Sequence, residues 1–194
     1  FWNSYSNTLF LTFYGTIWAL FVAILGAYAL SKKRLLFRRF FNFFLVFTML
    51  FSGGMVPEYL VYKEIGIYNT IWALIIPNAI SVYNLIIART FFESNIPESL
   101  TEAASIDGAG FFRTFFVINL PLAKSGLSTA GVMMFLGNWN EYYYAALLAS
   151  SPEHRTLPVA LGFFNQAFSY NYTNMFAALT VVVLPGILLY MVAQ

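Results

Sequence analysis

Long intervals without charge are the feature that most restricts how this chain can fold. The 23 residues from Thr8 to Leu30 contain no charged side chain. As a helix they span about 35 Å, enough to cross a bilayer core of about 30 Å. Only 9% of the 194 residues are charged, and the mean hydropathy is +0.70. The sequence predicts an all-α integral membrane protein, a polytopic bundle of transmembrane helices.

Four further apolar intervals predict five spans in one transmembrane domain, residues 1–194. The predicted spans are residues 8–30, 40–57, 67–89, 125–149 and 174–194, and a charged stretch at 90–121 separates the third from the fourth. Basic residues favour the cytoplasmic side of a membrane. Lys63 and Arg155 fall outside, and the other basic residues fall inside: Lys32, Lys33, Arg34, Arg38, Arg39, Arg89, Arg113 and Lys124. Residues 31–39 and 90–124 are therefore predicted to be cytoplasmic.

Proline and glycine predict where these spans break. Pro57, after Gly53 and Gly54, is expected to end the second span and to open an outer loop from Glu58 to Tyr68. Pro77 is expected to kink the third span, and Pro185 the fifth.

Several classes of function need side chains that this sequence does not supply. There is no cysteine and His154 is the one histidine, so no metal site is expected. No GxxxxGK[ST] phosphate loop is present, which predicts that the chain does not bind ATP itself. No nucleophile and base pair indicates an enzyme. An ion-coupled secondary transporter or channel is the alternative class, but it is expected to use paired carboxylates at membrane depth, where only Glu141 is available.

The charged stretch contains a short predicted helix. Asn95 and Glu98 fit a capping box, and Pro97 suits a first helical turn. Small side chains then recur on one face, and two glycines provide a stop; the residues of this pattern are Leu100, Ala103, Ala104, Asp107, Gly108 and Gly110. Such a helix suits docking into a groove of another protein. A surface loop that packs under the bundle is the equally weighted alternative.

A second group of polar and aromatic residues falls at membrane depth, where it is a candidate substrate path for carbohydrate. Its members are Asn78, Asn84, Asn138, Trp139, Asn140, Glu141 and Tyr142. The alternative is an interfacial aromatic belt with a structural Glu141. The uncharged segment 162–173 is expected outside, either as a docking surface for a binding protein or as an ordinary loop.

One motif in the charged stretch is specific. Glu102-Ala103-Ala104, Gly108, Ile118 and Leu120-Pro121 match all seven defined positions of the EAA loop of ABC importer permeases. Further matches are spread along the chain: Phe1-Trp2-Asn3-Ser4, Ile106-Asp107-Gly108-Ala109, Asn138-Trp139-Asn140-Glu141 and Arg155-Thr156-Leu157-Pro158. In these residues the chain resembles the second permease subunit of maltose-type oligosaccharide importers, which have the MetI-like fold.

The resemblance implies a fold, partners and roles. It implies that the EAA loop is a coupling helix for a cytoplasmic ATPase, with these residues in the coupling role: Glu102, Ala103, Ala104, Asp107, Gly108, Ile118, Leu120 and Pro121. The implied partners are a second permease subunit, two copies of an ABC ATPase, an extracytoplasmic sugar-binding protein and membrane lipid, but no nucleic acid. ATP and Mg²⁺ would be bound by the ATPase subunits. The implied location is a bacterial-type plasma membrane. Permeases of this family have six spans, so the chain is expected to be the core of a longer subunit.

Overall fold

The computed structural model describes residues 1–162 and 172–193, and the regular secondary structure within these ranges is helical. The helices are α1 (Trp2–Ser31), α2 (Arg38–Leu50), α3 (Met55–Glu64), α4 (Trp72–Ile75), α5 (Val82–Asn95), α6 (Glu98–Ile106), α7 (Phe111–Arg113), α8 (Leu120–Leu122), α9 (Lys124–Trp139), α10 (Tyr143–Leu148), α11 (Leu157–Gly162) and α12 (Tyr172–Ala193). A 3₁₀ turn lies at Pro77–Ala79, and a π-helical segment, Thr114–Asn119, joins α7 to α8.

The chain forms two compact units, and helices α1 and α9 contribute residues to both. The first unit comprises Phe1–Trp18, Gly53–Ala79 and Val132–Gln194, and the second comprises Ala19–Ser52 and Ile80–Gly131. That all five predicted spans form one domain stays a prediction.

Short helices α4 and α10 pack in the core of the first unit. Leu74 and Leu148 are fully buried there together with Leu11 of α1. The backbone after α10 is tied to α1 by polar contacts, since the Leu157 N–H donates to Thr8 Oγ1 at 2.7 Å. Asn7 Nδ2 also donates to the Glu153 carbonyl at 2.6 Å. These contacts fix the segment before α11 against the first helix.

Helices α1, α5 and α9 build the core of the second unit. Ala27, Ala88 and Ala123 have no exposed surface, which lets the helix backbones approach closely. At Gly126 of α9 the approach is so close that a Cβ atom would clash with the ring of Phe91 on α5. A glycine is therefore required where these two helices meet.

Helix α1 is long and apolar enough to cross a membrane by itself, as predicted for the first span. Two bent pairs of helices meet the same criterion only when each pair is taken together: α2 with α3, bent by 109°, and α4 with α5, bent by 43°. Within the described residues this gives one crossing helix, or up to three. The fourth predicted span contains α9, an interruption and α10, and the fifth coincides with α12. The remaining spans stay predictions.

The predicted interruptions have different outcomes. The chain breaks at Pro77 as expected, where α4 gives way to the 3₁₀ turn. The predicted outer loop from Glu58 to Tyr68 is wrong in its first half, because α3 runs from Met55 to Glu64. Pro57 is the third residue of that helix, and a proline in the first turn removes no helical hydrogen bond. Pro185 lies inside α12.

Candidate functional site

Helix α6 is the helix that the sequence predicts within the charged stretch. It begins at Glu98, directly after Pro97, and ends at Ile106. Pro97 occupies the N-cap position and makes no side-chain hydrogen bond there. The predicted capping box is wrong because Asn95 is the last residue of α5 and does not precede α6 as its cap. The start of the helix is nevertheless where the proline indicated.

Gly108 ends α6 in a Schellman motif. The Ala109 N–H donates to the Ala104 carbonyl at 2.9 Å, and the Gly108 N–H donates to the Ser105 carbonyl at 3.1 Å. This arrangement needs a left-handed backbone at the residue after the C-cap, and Gly108 has φ 79°. Glycine adopts that conformation without a steric penalty, so Gly108 fixes the length and the exit direction of the helix.

Most of the α6 surface is open. Ala104 is buried, whereas Ala103, Glu102 and Asp107 are exposed. Ile106, at the C-terminal end, is 87% exposed. The predicted face of small side chains is therefore divided, with Ala104 packed inside and the others facing outward. An open helix of this kind is compatible with a partner at its outer side.

The second half of the motif lies on an irregular helical stretch. Ile118 is in the π-helical segment, and Leu120 and Pro121 are in α8. Ile118 and Leu120 are half-buried, and Pro121 is exposed. Pro121 has no N–H to donate to the carbonyl four residues earlier, so a regular α-helix cannot run through it unbroken. Just before it, the Leu120 N–H donates to the Phe115 carbonyl five residues back.

Asn119 is a residue of this region that the sequence did not single out. Its side chain is fully buried, and Nδ2 donates to the Tyr28 hydroxyl on α1 at 2.9 Å. The Tyr28 ring also packs on Phe92 and Phe115, with ring centroids 5.6 and 4.6 Å apart. An asparagine between the apolar residues Ile118 and Leu120 was the available signal. The contact joins the motif directly to α1.

Two residues of the candidate substrate path are buried in the first unit. Asn138 Nδ2 donates to Thr16 Oγ1 at 3.3 Å. The Trp139 ring, 4% exposed, meets Tyr5 edge to face and stacks on Phe135, each with centroids 6.1 Å apart. Both side chains are thus engaged in packing within the unit.

The next three residues connect α9 to α10. Asn140 Nδ2 donates back to the Leu136 carbonyl at 2.8 Å, and Tyr142 is exposed. Glu141 Oε1 accepts a hydrogen bond from the Tyr144 N–H at 3.0 Å, in the first turn of α10. The Glu141 carboxylate therefore caps this helix, which is the structural role that the sequence left as an alternative.

The remaining members of the path are separate in the fold. Asn78 is half-buried in the 3₁₀ turn of the first unit, whereas Asn84 is buried in α5 of the second unit. The Asn84 N–H donates to Ser81 Oγ, which caps α5. That these residues share one path stays a prediction. Most of the predicted outer segment 162–173 lies outside the described residues.

Within residues 1–162 and 172–193, no three histidine, aspartate or glutamate side chains come together as metal ligands. The candidate site is therefore a surface for contacts, centred on α6.

Comparison with known families identifies the class of protein. The chain belongs to the family described as binding-protein-dependent transport system inner membrane component, whose model matches residues 8–194. Membership confirms the predicted MetI-like permease fold and the all-helical membrane architecture. It also places the chain in a membrane.

Individual relatives are transport permeases. The polygalacturonan/rhamnogalacturonan transport system permease protein YtcP of Bacillus subtilis is 45% identical over 140 residues, which are 72% of this chain and 49% of YtcP. The inner membrane ABC transporter permease protein YcjP of Escherichia coli is 34% identical, over 98% of this chain and 69% of its own. A solved bacterial ABC transporter involved in import of the acidic polysaccharide alginate is similar with a TM-score of 0.91 and 33% identity, covering 100% of this chain and 74% of that one. The chain spans about half the length of YtcP.

Proposed function

We propose that this chain is the core of a permease subunit of an ATP-driven importer that moves a sugar or oligosaccharide into the cell. The observation that carries the proposal is the EAA motif on α6, an exposed helix that Gly108 terminates. Family membership and relatives named for transport of carbohydrate polymers support the same function.

In this proposal α6 docks into a cytoplasmic ABC ATPase. The exposed residues Glu102, Ala103 and Asp107 contact the ATPase, and Ala104 and Gly108 give α6 its packing and its length. Ile118, Leu120 and Pro121 continue the coupling surface into α9. Closure of the ATPase dimer then moves α6, and the movement shifts the spans toward an outward-facing state because that state makes the better contacts.

The complex proposed here has further subunits. A second permease subunit completes the path, two ATPase copies bind ATP and Mg²⁺, and an extracytoplasmic binding protein delivers the sugar. This chain itself performs no catalysis and binds no nucleotide. Residues 31–39 and 90–124 face the cytoplasm of a bacterial cell. Asn78, Asn84, Asn138, Trp139, Asn140, Glu141 and Tyr142 are proposed for the substrate path, and the first members to test are the exposed Tyr142 and Asn140.

Purification of the complex with the full-length subunit tests this function. An ATPase subunit is expected to be retained. Gly108→Pro is expected to abolish substrate-stimulated ATP hydrolysis, since proline fixes φ near −65° where the helix end requires +79°.

Gly66 offers a matched control, because it has φ 76° and ends α3 with the same pair of backbone hydrogen bonds. Gly66→Pro introduces comparable strain away from α6 and should leave stimulation intact in the complex that assembles. Uptake that continues without any ATPase partner would overturn the proposed function.

A further inference from the structure

We propose that Lys32, Lys33 and Arg34 form an ionic seat for α6, and that this seat sets the position in which α6 is presented to its partner. The sequence explains these basic residues by membrane topology alone. Their contacts in the second unit give them a second role. The consequence for transport rests on the proposed function, whereas the seat itself does not.

The three consecutive basic residues contact one stripe of α6. Lys33 Nζ lies 3.5 Å from the Glu98 carboxylate, and Arg34 Nη2 lies 3.4 Å from the Glu102 carboxylate. Lys32 Nζ donates to Thr101 Oγ1 at 3.2 Å. These partners follow one another at i, i+3 and i+4, so they lie on the same side of the helix. Such a register orients α6 about its own axis.

Charge and polar contacts outweigh apolar packing along α6. Within the helix only Ala104 is buried, while Leu100 is 39% and Ile106 is 87% exposed. A helix of nine residues that buries one methyl group gains little from the hydrophobic effect. The contacts of the seat are then the main restraint on its position.

The outer contacts of the seat are weak enough to break. The side chains of Arg34 and Glu102 are 87% and 59% exposed, and those of Lys33 and Glu98 are 76% and 44% exposed. Exposed ion pairs of this kind change an equilibrium by up to about fivefold and are screened by salt. Lys32 is more enclosed: burial lowers the pKa of its ammonium, the Glu98 carboxylate partly offsets that effect, and Nζ lies 4.6 Å from the centre of the Tyr28 ring.

The base of the seat is held more firmly than its outer end. Arg38 pairs with Glu93 and donates from Nε to the Leu30 carbonyl at 2.8 Å. Arg89 joins the same Glu93 at 2.9 Å, and its Nη1 donates to Asn42 at 2.6 Å. The side chains of Arg38, Arg89 and Glu93 are 24%, 23% and 35% exposed. The basic segment is therefore anchored at α5, while its contacts with α6 can be exchanged.

A cavity of about 350 Å³ lies beside these contacts, lined by Lys32, Lys33, Arg38, Glu93 and Glu98 among others. It gives the first turn of α6 room to move without displacing the core. The seat begins directly after α1, so a shift of α6 that alters the seat acts on the end of α1.

The seat can be tested with spin labels in the assembled complex. The 194 residues contain no cysteine, so labels can be attached at Leu36→Cys and Ile106→Cys, both at exposed positions, with cysteines of the other subunits replaced. The label distance is then measured by electron paramagnetic resonance without nucleotide. Lys33→Gln/Arg34→Gln is expected to broaden the distance distribution. Arg39→Gln is the matched control, because it removes a charge from the same segment at an exposed residue that has no ion pair among the described residues.

Two further results separate the seat from general electrostatics. Raising the salt from 0.1 to 1 M shortens the Debye length from about 10 to about 3 Å and should broaden the distribution of the parent protein as the double variant does. The charge exchange Lys33→Glu/Glu98→Lys should restore the narrow distribution that Lys33→Glu alone loses. A distribution that none of these changes alters would overturn the seat, and so would equal broadening by Arg39→Gln.

Transport provides the functional measurement. If the proposed function holds, Lys33→Gln/Arg34→Gln should lower the substrate transported per ATP hydrolysed by about two- to fivefold while assembly is unchanged. An unchanged ratio together with a broadened distance would overturn the role of the seat in coupling. If no ATPase is retained at all, the proposed function fails, and the distance measurements still decide whether the seat exists.

Discussion

Gly108 and Gly66 occupy the same position at the ends of α6 and α3. Each has a left-handed backbone, and each lies in a pair of hydrogen bonds typical of a Schellman motif. No other atom lies within 4 Å of a Cβ added at either glycine. The cost of a side chain at both positions is therefore conformational and should be similar.

Gly108→Ala and Gly66→Ala are expected to lower the free energy of unfolding by about 1 kcal/mol each, since a left-handed conformation disfavours a Cβ atom. Only Gly108→Ala should also lower the substrate transported per ATP hydrolysed, because it alters the end of α6. Gly108→Asn should recover part of the loss, since asparagine tolerates this conformation. Thermal denaturation of the purified complexes and transport in vesicles provide the two measurements. Equal effects of both alanine variants on transport would show that α6 has no special role.

Glu141 is the carboxylate whose role the structure narrows most. Glu141→Ala is expected to lower uptake while assembly and basal ATP hydrolysis persist. Glu141→Gln separates the two explanations, because its amide oxygen can still accept the hydrogen bond from Tyr144. Uptake rates in vesicles are the measurement. Retention of uptake by Glu141→Gln would assign Glu141 to capping α10, and loss would assign it a role that needs the charge.

At the scale of elements, the contact between α9 and α5 depends on Gly126. Gly126→Ala is expected to destabilise the complex by about 1–3 kcal/mol, because the added methyl group must displace the Phe91 ring. Gly137→Ala is the matched control in the same helix, where no atom lies within 4 Å of the added Cβ. It should be neutral or stabilising by up to about 1 kcal/mol, since alanine favours helix. The midpoint of thermal unfolding measures both, and similar midpoints for the two variants would contradict the close approach.

The elements that the sequence predicted well are those with local causes. The charge-free interval at 8–30 needs only its own composition to form α1, and Gly108 needs only its own backbone to end α6. The capping box failed because Asn95 was taken by the preceding helix. Helix α3 was missed because Pro57 was read as a break, although a first helical turn accepts it.

The contacts that the sequence did not reveal join residues far apart in the chain. Asn119 and Tyr28 are 91 residues apart, and Arg34 and Glu102 are 68 apart. Neither pair follows a local pattern, so only the packing of α1 against later helices brings them together. The amides of the candidate substrate path met the same limit, since a polar residue in an apolar interval has the same appearance whether it binds a ligand or a neighbouring side chain.

For the whole molecule, the predicted orientation can be mapped with single cysteines. Cysteine at Leu36 is expected to react with a membrane-impermeant thiol reagent only after the cells are opened, whereas cysteine at Glu64 should react in intact cells. Both positions are exposed, and the background of these 194 residues contains no cysteine. The basic residues on the side of Leu36 determine this expectation. Labelling of Leu36→Cys in intact cells would reverse the orientation and remove α6 from the cytoplasm.

The relatives set the scale of what this chain contributes. It spans about half of YtcP but 69% of YcjP and 74% of the alginate importer chain. The printed substrates of the relatives range from polygalacturonan to melibiose, raffinose and stachyose. Family membership therefore supports transport of carbohydrate in general, and the choice of sugar has to be measured on the assembled importer.

The π-helical segment Thr114–Asn119 makes the spacing of the motif a mechanical quantity. Each residue of an α-helix turns the chain by about 100°. Deleting one residue between Phe115 and Ile118 would allow a regular helix there, but it would also rotate α7 and everything before it by that angle relative to α9. The fixed number of residues between Gly108 and Ile118 thus acts as a gear setting: it determines which side of α6 points outward when α9 turns.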